Sequence, residues 1–68
     1  MPLSPQYKAP GKSLACIKNL FEGYDNLLVM TMIDVKNGIF TLVFSEGMAY
    51  EAGKVIEGIK KEVNFEEL

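Results

Sequence analysis

Two runs of apolar residues, separated by one turn signal, organise residues 27–44. The first run reads LLVMTMIDV and the second reads IFTLVF, with Lys36, Asn37 and Gly38 between them. Both runs are rich in β-branched or aromatic residues, which strands favour. An Asn-Gly step between apolar runs favours a two-residue type I′ turn, in which both residues have positive φ. The sequence therefore predicts a β-hairpin that turns at Asn37 and Gly38.

The predicted hairpin is apolar on both faces. With a two-residue turn Ile33 lies opposite Leu42, and side chains alternate between the faces along each strand. The face expected to cover the core carries Val29, Thr31, Ile33, Val35, Phe40, Leu42 and Phe44. The opposite face carries Leu28, Met30, Met32, Asp34, Ile39, Thr41 and Val43. A turn one residue longer changes some partners but leaves both faces apolar.

The second face has no obvious cover within so short a chain. Antiparallel sheets with one face in water normally alternate apolar and polar residues, and this hairpin does not. We therefore expect a partner surface on this face. The predicted interface residues are Leu28, Met30, Met32, Ile39 and Val43.

Helical spacing of apolar residues predicts one helix on each side of the hairpin. Residues 12–24 carry the stripe Leu14, Ile17, Leu20, Phe21 and Tyr24. Gly11 or Ser13 is expected to cap this helix, and Gly23 to end it in a left-handed conformation. Residues 45–63, capped by Ser45, carry the stripe Met48, Ala52, Val55, Ile56, Ile59 and Val63. Residues 64–68 are expected to fray, unless Phe65 folds back onto the core.

The N-terminal segment holds all three prolines and is expected to be extended. The sequence thus predicts an extended arm over residues 1–11 and a single α+β domain over residues 12–68. Residues 6–9 could instead form an edge strand. The predicted fold is a two-layer α+β sandwich, with two helices on one face of an antiparallel sheet. Its order is α-β-β-α, or β-α-β-β-α if the edge strand forms, which is a ferredoxin-like unit without its last strand.

Composition narrows the function classes. A chain of 68 residues buries only about 60% of its unfolded surface, and one cysteine with no histidine allows neither an internal disulfide nor a zinc site. Self-association is the remaining source of extra burial. Seven basic and nine acidic residues are scattered along the chain, which argues against a nucleic-acid partner. No apolar run reaches the roughly 20 residues of a membrane helix, and the lone thiol favours the cytoplasm.

The chain resembles a small bacterial family catalogued as domain of unknown function 4911. The matching features lie within residues 17–63: Leu-Phe-Glu-Gly-Tyr at 20–24 closing a helix, a strand with Thr31 and Asp34, a turn at Gly38, a second strand and a final helix. The resemblance implies a compact domain reminiscent of small regulatory ligand-binding folds. It implies no activity.

No arrangement of residues predicts catalysis, a cofactor or a metal ion. Gly11-Lys12-Ser13 ends like a phosphate-binding loop but lacks the first glycine and the preceding strand. Glu22 lies in the last turn of a helix, where the dipole disfavours a carboxylate, so we expect it to bind the following turn or the hairpin. Asp34 is expected to serve the hairpin turn. Cys16 is expected to be a small buried apolar residue.

The leading hypothesis is therefore a homodimeric binding or protein-interaction module. A competing hypothesis is a regulatory domain that holds a small ligand at the dimer seam. An enzyme that uses Glu22 is less favoured, because no nucleophile lies beside a base. The partners expected are a second copy, an unknown protein or a small ligand, and neither nucleic acid nor a membrane.

Overall fold

The computed structural model describes residues 2–68 and has the expected α+β architecture, with one five-stranded antiparallel sheet and two helices. The elements in chain order are β1 (Pro2–Leu3), β2 (Gln6–Lys8), α1 (Leu14–Glu22), β3 (Leu28–Asp34), β4 (Ile39–Ser45), α2 (Ala49–Lys60) and β5 (Glu66–Glu67). A short 3₁₀ turn precedes each helix, at Gly11–Ser13 and at Glu46–Met48. Both helices are therefore shorter than the sequence pattern predicts.

The N-terminal segment, which the sequence predicts to be an extended arm over residues 1–11, contributes strands to the sheet. β1 and β2 pair with β4 in one continuous register, from Pro2 opposite Ser45 to Lys8 opposite Ile39. The interruption falls at Pro5, which has no N–H to donate to the ladder. Its carbonyl oxygen still accepts a hydrogen bond from the Leu42 N–H at 3.2 Å. Met1 lies outside the described residues.

The strand order across the sheet is β3, β4, the β1–β2 strand, and β5. β2 is thus interior, and not the edge strand considered from the sequence. The C-terminal residues pair as well, with Tyr7 opposite Glu67 and the Leu68 N–H bonded to the Gln6 carbonyl at 2.9 Å. The expectation of a frayed tail is wrong, because Phe65 folds back into the core with 8% of its surface exposed. The chain therefore runs β-α-β-β-α-β.

The hairpin forms, but its register differs from the predicted one by three residues. Leu28 lies opposite Phe44 and Met30 opposite Leu42, and a bulge between Met32 and Asp34 then shifts the pairing. Because three is an odd number, β3 presents the opposite set of side chains to the core from the set predicted. Leu28, Met30 and Met32 share the core face with Phe40, Leu42 and Phe44.

The turn explains the register. The Asp34 carboxylate accepts hydrogen bonds from the Asn37 backbone N–H at 3.2 Å and from its side-chain amide at 2.7 Å. The Gly38 N–H bonds to the Val35 carbonyl at 3.2 Å, which makes a loop longer than two residues. The predicted positive φ is confirmed for Gly38, at 73°. The same prediction for Asn37 is wrong, because its φ is not positive.

The helix ends also differ from the prediction. Gly23 ends α1 with φ −66° and ψ −11°, which is right-handed, so the expected left-handed residue is absent there. Ser45 is extended before the second 3₁₀ turn, and neither it nor Ser13 makes a side-chain capping bond. Each helix therefore continues from a 3₁₀ turn without a side-chain cap at its N-terminus.

All the buried apolar side chains lie between the helices and one face of the sheet. The core contains Tyr7, Ala9, Leu14, Ile17, Phe21, Leu28, Phe40, Leu42, Ala52, Ile56, Ile59 and Phe65. Phe65 is its centre of contact, with ring centroids 5.6 Å from Tyr7, 5.7 Å from Phe40 and 6.1 Å from Phe21. Within residues 2–68 both helices lie on this side, and the opposite face of the sheet carries none.

Replacing Gly38 with alanine should lower the free energy of unfolding by at least about 2 kcal/mol. The strain of a positive φ on alanine and the steric overlap of its Cβ with the Ala9 backbone both contribute. Its φ is 73°, and a Cβ there would lie 1.8 Å from the Ala9 carbonyl oxygen. Gly58→Ala is the matched control, since a Cβ there meets no atom within 4 Å and alanine favours the helix. Urea unfolding should show a loss for the first variant and a small gain for the second. A neutral Gly38→Ala would contradict the turn geometry.

Candidate functional site

The candidate site is the face of the sheet that no helix covers, here called the open face. It carries Val29 and Thr31 from β3, opposite Val43 and Thr41 of β4. Val29 is 51% exposed and Ile33, at the bulge, is 49% exposed. Thr41 is buried, with its hydroxyl donating to the Pro5 carbonyl at 2.7 Å. The β3–β4 part of the open face is thus mainly apolar with threonines at its centre, whereas the neighbouring β2 part carries the exposed polar side chains of Gln6 and Lys8.

Three of the five predicted interface residues do not lie on the open face. Leu28 is 1% exposed in the core, and Met30 and Met32 are partly buried against the core from the same side. The predicted face of these three residues is wrong, because the register shift reversed the faces of β3. Ile39 and Val43 are half-buried and alternate with the core residues of β4, which places them on the open face.

Sequence reasoning assigned Val29 and Ile33 to the core, and the structure exposes them. The signal that could have placed them was Asp34, three residues before Asn37. An aspartate at that spacing accepts hydrogen bonds from the backbone of a turn and favours a longer loop. The Asn-Gly step alone gave the wrong register.

A groove of about 170 Å³ runs between α1 and the free edge of β3. It is lined by Lys18, Phe21, Glu22, Asp25, Leu28, Val29 and Met30. Its floor is apolar, and its charged residues come from α1 and the turn that follows. The groove lies directly beside the open face, since Val29 belongs to both.

Glu22 does not make the contact predicted for it. Its side chain is exposed, and the side-chain hydrogen bonds found among residues 2–68 involve Asp34, Asn37 and Thr41. The structure therefore places Glu22 at the rim of the groove, and not in a bond to the turn at Asp25 and Asn26.

The predicted role of Asp34 in the turn is confirmed. The Asn37 side-chain amide, followed by the Asn37 backbone N–H, holds the pKa of the Asp34 carboxyl below its ordinary value. The pKa of the Tyr7 phenol is raised by its burial and by the nearby carboxylates of Glu67 and Glu57. Tyr7 therefore packs in the core as a neutral phenol.

The remaining candidates are scattered. Cys16 is exposed on α1, so the expectation of a buried thiol is wrong. Within residues 2–68 no group of three or more histidine, cysteine, aspartate or glutamate side chains is placed to hold a metal ion. None of the helices in the same range has the length and apolar character needed to cross a membrane.

One protein-family model matches the chain, over residues 7–63, and the description of that family is a domain of unknown function, DUF4911. The match includes the segment on which the sequence resemblance rests and extends it to β2. Comparison with curated proteins and with solved structures gives no significant match.

Asn37→Ala should raise the pKa of Asp34 towards its ordinary value, because it removes the larger of the two Asn37 bonds. A group with a depressed folded pKa stabilises the fold above its unfolded pKa. That contribution is lost as the pH falls through the folded pKa, so the stability difference between wild type and Asn37→Ala should shrink in acid. Carboxyl carbon NMR titration measures the pKa directly. Lys36→Ala is the control and should leave it low, whereas an unchanged value in Asn37→Ala would contradict the turn assignment.

Proposed function

The chain belongs to the family of domains of unknown function DUF4911, and from the surface of its fold we propose that it is a homodimeric protein-interaction module. The observation that supports this proposal is the open face. Val29 and Ile33 are each about half exposed there, and Ile39 and Val43 extend the same surface. Contiguous apolar surfaces on soluble proteins commonly mark sites of association.

Energetics support a second copy as the partner. Fully burying an aliphatic side chain is worth roughly 1.5–3 kcal/mol. A two-fold axis doubles every such contact, because the same patch is presented twice. A two-fold contact that brings Val29 and Ile33 of both copies together removes part of their apolar surface from water, which offsets part of the cost of association.

We further propose that the fold is ferredoxin-like. Its support is the chain order β-α-β-β-α-β together with the strand order β3, β4, β1–β2 and β5. This arrangement places each helix between two strands that are not neighbours, which is the split βαβ unit. The last strand, which the sequence did not predict, completes the arrangement.

A regulatory domain with a small ligand at the dimer seam is the second candidate. The groove beside β3 favours it, because Phe21, Leu28 and Met30 supply apolar walls while Lys18 and Glu22 supply charges. Small-ligand sites combine these two features. Native mass spectrometry of protein from its own host would reveal a co-purifying molecule. A homodimer whose mass equals that of two chains, with no small molecule bound, would favour the interaction module.

Catalysis through Glu22 is the least favoured function. An exposed carboxylate lacks the buried environment that tunes a catalytic acid or base. We also propose that the protein acts in the bacterial cytoplasm. The exposed free thiol of Cys16 supports a reducing compartment, because such a thiol is prone to oxidation elsewhere.

The double variant Val29→Lys with Ile33→Lys should convert the dimer to a folded monomer, because a two-fold seam would bring like charges from the two copies opposite one another. Sedimentation equilibrium at micromolar concentration measures the change. Tyr50→Lys is the control, since Tyr50 is 71% exposed on α2 and lies away from the open face. The control should remain dimeric. A wild-type protein that sediments as a folded monomer would overturn the proposal.

A further inference from the structure

The directions of the backbone groups along β3 follow from its neighbours. The Leu42 N–H donates to the Pro5 carbonyl, and the Ala9 N–H donates to the Gly38 carbonyl. The backbone N–H and C=O groups of even-numbered residues along β4 therefore point towards the N-terminal strand. Successive residues of a strand point their backbone groups to opposite sides. Thr41 and Val43 therefore point towards β3, where they lie opposite Thr31 and Val29.

The same alternation leaves Met30 and Met32 with backbone N–H and C=O groups that point away from the sheet. Within residues 2–68, β3 pairs with β4 alone, so these groups form a free edge. Proteins usually protect such an edge with proline, lysine or a cover. β3 has no proline or lysine, and its single charge, Asp34, is at its end. The edge is therefore able to accept another strand.

One two-fold register uses the free groups of Met30 and Met32 without any group that is already bonded. Pairing Met30 with Met30 of a second copy would also need the Leu28 N–H, which already donates to the Tyr24 carbonyl at 2.9 Å. Pairing Met30 with Met32 of the partner subunit needs no other group. Each such pair exchanges two hydrogen bonds, and the two-fold axis repeats them. The axis then passes beside Thr31.

We propose that β3 pairs with β3 of a second copy in this antiparallel register, so that the two sheets become continuous. The proposal rests on the homodimer above and names the strand that forms it. On the open face, Thr31 lies opposite Thr31 of the partner subunit, and Val29 lies opposite the partner's Ile33. Threonine pairs and β-branched apolar pairs are favourable across strands. Val29, Thr31 and Ile33, which are exposed in a single copy, thus form favourable cross-strand pairs in the dimer.

The charges beside the edge are also complementary. Lys18 and Glu22 of α1 both line the groove along β3. A two-fold axis reverses the direction of the helix, so Lys18 is brought towards Glu22 of the partner subunit. On this side Met30 meets the partner's Met32, and methionine adapts to such a seam because its side chain is flexible.

Cysteine cross-linking tests the register, in a Cys16→Ser background because Cys16 is a free exposed thiol. Thr31→Cys should form a covalent dimer under mild oxidation, since opposed residues in a non-hydrogen-bonded pair suit a disulfide. Val29→Cys is the matched control. Its partner cysteine would lie four residues along the strand, about 13 Å away, too far for a bond. Adding Ile33→Cys to Val29→Cys should restore cross-linking.

The expected result is a rate of covalent dimer formation at least roughly tenfold higher for Thr31→Cys than for Val29→Cys alone. Sedimentation of the Cys16→Ser background separates the two proposals. If that protein is dimeric but Thr31→Cys does not cross-link, the edge register is wrong while the homodimer stands. If the background is a folded monomer and Thr31→Cys stays unlinked, both are wrong, and the edge is free for a strand of a different protein.

Discussion

The aromatic cluster around Phe65 ties both ends of the chain to the centre of the core. Phe65 lies near the C-terminus, just before β5. Its ring contacts those of Tyr7 in β2, Phe21 in α1 and Phe40 in β4. Edge-to-face contacts of this kind are worth about 0.5–1.5 kcal/mol each beyond the apolar area they bury. Four segments that are distant in sequence are thereby fixed on one side of the sheet.

This one-sided core determines which surfaces stay available. Both helices pack on the side that holds Phe65, so the open face keeps only strand side chains. The N-terminal strand and β5 fill the positions beyond β4, which leaves β3 at the other edge. The apolar open face and the unpaired backbone of Met30 and Met32 therefore meet at the same strand. A single partner strand would supply hydrogen bonds to these backbone groups and pack beside Val29 and Ile33 at the seam, and this is the physical basis of the proposed dimer.

The sequence was sufficient for the fold class, because the two helical stripes and the hairpin runs have clear periods. It was insufficient for the register, since the Asp34 side chain competes with the Asn-Gly step for control of the turn. That competition decides whether Met30 or Val29 reaches the surface. The strands at the two ends of the chain are short and pair over a long sequence separation, so no local pattern indicates them. Phe65 alone signalled that the C-terminal segment could return to the core.

Hydrogen exchange distinguishes a free β3 edge from one that is paired with a second copy. The N–H groups of Val29 and Thr31 face β4 within each chain, so they should be protected at every protein concentration. The N–H groups of Met30 and Met32 have no strand partner within residues 2–68 and gain one in the proposed dimer. Their exchange should be slow at high concentration and should accelerate on dilution as the dimer dissociates. Fast exchange of Met30 and Met32 at all concentrations, in a protein that remains folded, would contradict the account.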